Sequence, residues 1–154
     1  MISVYLKDKF RNIDNKVAKS KQIGGSDPEI AAMMSSYLAV FISGIYEDCI
    51  EYLFKERAGR NKDSEIQNFV ENIMDKDFRN PNYEKIRDFL KYLNETYGDQ
   101  LDKLGNEYKD ALNSIVNNKN QIAHGGTCNA TINDIITYHK KALKIFEELE
   151  KILL

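Results

Sequence analysis

The stretch from Pro28 to about Arg57 constrains the fold more than any other part of the chain. Leu38, Ile42, Ile45, Cys49 and Leu53 recur at spacings of three and four, and Val40, Ile50 and Phe54 make a second line. That spacing predicts one long helix. A helix apolar on several faces has to lie centrally, with other elements packed around it. Ser26-Asp27-Pro28-Glu29 fits a capping box with Pro in the first turn.

The other segments read as helices that could surround it. Leu6, Phe10, Ile13 and Val17 predict an amphipathic helix that ends before Gly24-Gly25. Ser64-Glu65-Ile66-Gln67 fits a second capping box, ahead of Phe69, Val70 and Ile73. Asn80-Pro81-Asn82 opens a helix with Ile86, Phe89, Leu90 and Leu93 on one side, and Gly98 follows it. A helix from about Leu101 to Ala123 stops at Gly125-Gly126. Thr131 caps a last helix lined by Ile135, Ile136, Leu143, Phe146, Leu149 and Leu153. No stretch alternates with period two, so no sheet is expected. The reading is a single all-α domain over residues 1–154, a bundle of about five to six helices. The abundant asparagine is read as a matter of composition, not of function.

Composition narrows the function classes. Lys and Arg number 22 against 24 Asp and Glu, a formal net charge of −2, which is not the balance of a dedicated nucleic-acid binder. Any RNA contact would be local. One candidate is residues 1–25, where Lys7, Lys9, Arg11, Lys16, Lys19 and Lys21 face only Asp8 and Asp14; the other reading is a solvated helix face. Cys49 on the apolar stripe and Cys128 in a turn are too few for a disulfide scaffold or zinc cluster, and both fit a reducing cytosol. There is no signal-peptide layout, and the apolar run from Tyr37 to Tyr46 is about half the ~20 residues of a membrane-spanning helix. The expectation is a cytoplasmic protein without membrane contact, metal or cofactor.

Chemistry concentrates in Asn117-Asn118-Lys119-Asn120-Gln121-Ile122-Ala123-His124-Gly125. Lys119 interrupts the apolar line Tyr108, Leu112, Ile115, Ile122; either its stem packs while the ammonium reaches water, or the charge has a task. Asn117, Asn120 and His124 share one helix face. His124 stands at the helix end, where a capping role and a catalytic one are both open. Glu47, on the line Val40, Ser43, Ile50, Phe54, needs a partner, with Lys119, His124 and Arg57 as candidates. His139 lies among apolar residues and reads as a packed histidine. No glycine-rich loop follows a strand, and no nucleophile elbow supports a Ser–His–Asp reading.

Lys119-Asn120-Gln121-Ile122-Ala123-His124-Gly125 resembles the Arg-Asn-x-Ile-Ala-His-Gly signature of HEPN domains, and of the RiboL-PSP-HEPN group in particular. Ser36–Phe54 is similar to that group's long second helix. Asn80-Pro81-Asn82-Tyr83-Glu84-Lys85-Ile86 with Phe89-Leu90 is similar to its central element, and Leu112-Asn113-Ser114-Ile115-Val116 leads into the motif. The likeness is strongest over residues 30–127. It implies a helical bundle that dimerises and a metal-independent endoribonuclease, of the kind found as toxins or anti-phage effectors, with an RNA substrate and an antitoxin or other defence protein as partner. By that likeness His124 moves protons at the ribose 2′-OH or the leaving 5′-oxygen. Lys119 counters phosphate charge, Asn120 orients the phosphate or His124, and Glu47 steadies the basic group. The chain departs from the signature at Lys119, where the family has arginine: the charge is kept and the planar fork is lost. Two rival readings stand beside the enzyme. One is an inactive HEPN module that binds RNA, a nucleotide or a protein. The other is a plain helical scaffold in which Lys119 and Glu47 pair.

Overall fold

A computed structural model describes residues 2–154, and all their regular structure is helical. Seven helices follow in order: α1 (Val4–Gly24), α2 (Pro28–Gly59), α3 (Ser64–Asp77), α4 (Tyr83–Leu93), α5 (Glu95–Asp102), α6 (Asn106–Ala123) and α7 (Ile132–Leu153). The 32-residue α2, about 48 Å long, is the axis of the bundle and packs against α1, α3, α6 and α7. Its line Leu38, Ile42, Cys49 and Leu53 is fully buried, together with Tyr46 and Ile50. The core continues through Leu6, Phe10 and Ile13 of α1, Leu112, Ile115 and Val116 of α6, and Ile135, Ile145, Phe146 and Leu149 of α7.

Seven helices are one more than the upper expectation of six, and the additional one is the short α5. Asn94 ends α4 and starts α5, where its side chain accepts a hydrogen bond from Thr96 N–H (3.0 Å). Gly98 therefore lies inside α5 and is not a stop. Lys91 lies across it so closely that a Cβ would fall 2.5 Å from the Lys91 Cγ. The expected serine caps are also displaced. Asp27 caps α2, because Pro28 takes the first helical position and the residue before it becomes the cap. Asp63 caps α3, accepting from Glu65 and Ile66 N–H. Thr131 and Asp134 form the one reciprocal capping box among the described helices.

By length and composition α2 also passes for a membrane span. Its apolar character has two sources. One side is the core of the bundle; the other carries the exposed residues Ile30, Met33, Tyr37 and Val40 on the N-terminal half. Val40, read as part of a buried line, is on this outer side.

Candidate functional site

The end of α6 presents the signature residues because of how the helix stops. His124 is the C-cap, Gly125 follows at φ +81°, Gly126 N–H donates to Gln121 O (2.8 Å) and Gly125 N–H to Ile122 O (3.1 Å). This is a Schellman stop, which turns the chain sharply after the last helical residue. It leaves the His124 side chain exposed, with no hydrogen-bond or ion-pair partner among the described residues. The loop beyond is pinned back onto α6. Buried Asn118 accepts from Asn129 N–H (2.8 Å) and donates to Ser114 O (2.8 Å), while Asn129 Nδ2 donates to Gln121 Oε1 (3.2 Å).

Lys119 is half-buried, and its ammonium is held. Nζ donates to Asn80 Oδ1 at 2.6 Å and lies 3.4 Å from Asn120 Oδ1. Snorkelling alone does not describe a cation between two amide oxygens. Asn80 reaches it from the segment between α3 and α4. That segment is sewn to α6 a second time, by Tyr83 N–H donating to Asn113 Oδ1 (2.8 Å), and Asn82 caps α4 through Lys85 N–H.

Glu47 touches neither Lys119 nor His124. Its cation is Arg79, with Nη1 3.7 Å from Glu47 and 3.5 Å from Glu51. Arg79 also donates to Phe78 O and Asp75 O, closing the end of α3. Burial pushes the Glu51 carboxyl up, opposed by Lys55 and Arg79 and reinforced by Glu47. Arg57, the third candidate partner, donates instead to Tyr97 Oη (2.8 Å). The Lys119–Glu47 pair of the scaffold reading is therefore not formed. Glu47 reaches the ammonium only through the chain of contacts Glu47–Arg79, then Asn80, then Lys119.

The structure thus brings Lys119 and Asn120 together, sets His124 one turn further along α6, and keeps Glu47 behind Arg79. Sequence reasoning missed Arg79, Asn80, Asn113 and Asn118. For the three asparagines the signal is the recurrence of that residue in the chain; nothing local marks Arg79. Asn80, Asn82, Asn113, Asn118, Asn120 and Asn129 all make side-chain hydrogen bonds on α6 or on the segments that pack against it.

Elsewhere, the titratable groups have structural positions. His139 is buried and its Nδ1 lies 2.8 Å from the buried Tyr46 Oη; burial lowers its pKa from 6.5 to about 4. Burial likewise pushes the Cys49 thiol up to about 12. In the basic stretch of α1, Lys9 pairs with Asp48, Arg11 with Asp8, and Lys16 lies over the Phe41 ring. Among the described residues no three His, Cys, Asp or Glu side chains gather as metal ligands would.

Neither a curated protein nor a solved structure matches this chain. The RiboL-PSP-HEPN family model matches residues 5–154, extending the likeness read over 30–127 to include α1 and α7. With that coverage, and with the signature placed on an exposed helix end of an all-helical bundle, the chain belongs to the RiboL-PSP-HEPN family.

Proposed function

We propose that this protein is a metal-independent endoribonuclease acting as a homodimer in the cytoplasm, a toxin or anti-phage effector held in check by an antitoxin or other defence protein. One observation carries the reading. His124 is exposed without a partner among the described residues, five residues from a lysine whose ammonium is oriented by two amide oxygens. An exposed imidazole can exchange protons with a substrate. A fixed ammonium can meet the charge that develops on a phosphate in the transition state.

The proposed reaction needs only protein groups. The ribose 2′-oxygen attacks phosphorus, the bond to the 5′-oxygen breaks, and the products are a 2′,3′-cyclic phosphate and a 5′-OH. A neutral imidazole takes the 2′-OH proton and a protonated one gives a proton to the leaving oxygen, so the proton count is conserved. One chain supplies one imidazole at this end. Two copies facing each other would supply both, with two lysines along the backbone. The exposed stripe Ile30, Met33, Tyr37 and Val40 supports such a pairing, since an unpaired apolar row is a favoured contact surface. It lies on the half of α2 whose Ala31, Ala32 and Ser35 line a groove with Cys128, Asn129 and Ala130, the loop that follows His124.

Cleavage of RNA in EDTA, with cyclic-phosphate ends, that disappears in His124→Ala is the expected result. RNA binding without cleavage, unchanged by Lys119→Arg, would establish the second reading, an inactive binding module. Two features favour that reading, the lysine where the family has arginine and the net charge of −2.

A further inference from the structure

We propose that Asn80 is a positioning residue that makes Lys119 an adequate substitute for the family's arginine. The inference rests on the ribonuclease reading above and deepens it. A lysine ammonium is a point charge on a flexible stem, whereas an arginine fork brings its own geometry. Something else must therefore orient Lys119. Two of its three N–H donors are aimed at amide oxygens, Asn80 Oδ1 at 2.6 Å and Asn120 Oδ1 at 3.4 Å, which leaves the third for a phosphate oxygen.

Asn80 is itself built in firmly. It is the one non-glycine residue with positive φ (55°) among those described. That left-handed backbone is strained for most residues and is best tolerated by glycine, then asparagine. Glycine would fit with less strain, so the amide side chain is the reason to have asparagine there. Phe78 and Pro81 are buried on either side, and Asn82 N–H donates to Asn80 O (2.7 Å). The neighbouring Arg79 is held by Glu47, Glu51 and Asp75 O, and Lys85 Nζ donates to Arg79 O (2.7 Å). Glu47 and Arg79 thus brace the segment that aims Asn80, and Asn80 aims Lys119. Asn120 offers the weaker of the two contacts and sits on the same helix as Lys119, so only Asn80 ties the ammonium to a second element.

Asn80→Gly separates side chain from backbone, because glycine keeps the left-handed turn and removes only the amide. The expected result is a kcat for RNA cleavage down by about 10- to 100-fold, with KM little changed and melting temperature held or raised. In a Lys119→Arg background the same substitution should cost only a few-fold. Full activity in Asn80→Gly, or an equal loss in both backgrounds, would overturn the proposal. A second readout does not depend on turnover. The Lys119 ammonium, held by Asn80, should give a slowly exchanging ¹⁵N resonance that is lost in Asn80→Gly. Persistence of that signal in Asn80→Gly would refute the positioning role even in an active enzyme. A wild-type chain that fails to cleave RNA, yet shows the signal and its loss, would sink the ribonuclease reading and leave the positioning of Lys119 standing.

Discussion

The two histidines of this chain have the same side chain and opposite surroundings. His124 caps α6 on the surface, with a glycine pair turning the backbone away and no partner for its ring among the described residues. His139 is 4% exposed between α1 and α2, edge-on to Phe10 and bonded to Tyr46 Oη. Charging a ring in the core means removing an ion from water, so burial holds His139 neutral. Proton exchange with a polymer substrate requires the other environment. Under the proposed ribonuclease reading, position and not residue type divides chemistry from packing in this fold.

The sharpest test of that division is a double dissociation. His124→Ala should abolish RNA cleavage, by about 10²–10⁴-fold, while the melting temperature stays within a degree or two. His139→Ala should do the reverse. It opens a cavity and strips a partner from buried Tyr46 Oη, which together cost about 2–4 kcal/mol. That is a melting-temperature loss on the order of 10 °C, with the folded fraction still cleaving. If His139→Ala lost cleavage in fully folded protein, the comparison would break.

Acid should expose the same contrast through stability. The folded pKa of His139 is about 4, below the ordinary 6.5, because burial disfavours the cation more than Asp14 favours it. The unfolded chain therefore binds a proton that the folded chain refuses across this interval. Stability from this group is complete above about pH 6.5 and is lost as pH falls toward about 4. The loss is roughly 3 kcal/mol. Denaturant midpoints measured across that range should fall in the wild type and fall less in His139→Gln. Equal slopes in the two proteins would mean that His139 is not the group being titrated.

What could be read in advance follows the range of the interaction. The stop after His124 and the cap at Thr131 depend on residues within five positions of each other, and both were legible. So was the burial of Cys49 and His139, which helical spacing decides. The Lys119–Asn80 contact spans 39 positions and depends on a left-handed turn that no periodicity announces. Glu47 was recognised as needing a partner, but Arg79 is supplied by a loop whose path is fixed by Phe78 and Pro81 in the core. The break at Asn94 was hidden because Gly98 looked like the stronger punctuation. Gly98 instead lies inside α5, where its missing Cβ makes room for Lys91.

The smallest effect is also the most discriminating. Tyr46 and Glu47 are neighbours on α2, one turned into the core toward His139 and the other outward toward Arg79. Tyr46→Phe removes one hydroxyl and no volume beyond it, leaving His139 Nδ1 unpaired at a cost of about 1–2 kcal/mol. Combined with His139→Leu, the penalty should be less than the sum, since removing both polar partners leaves neither unsatisfied. Cleavage by the single variant should match the wild type at saturating RNA. A drop in kcat without a drop in folded fraction would mean that displacement of α2 at Tyr46 reaches Lys119 through Glu47, Arg79 and Asn80. The buried histidine would then belong to the same mechanical unit as the exposed one, and its separation from the chemistry would hold for protons only.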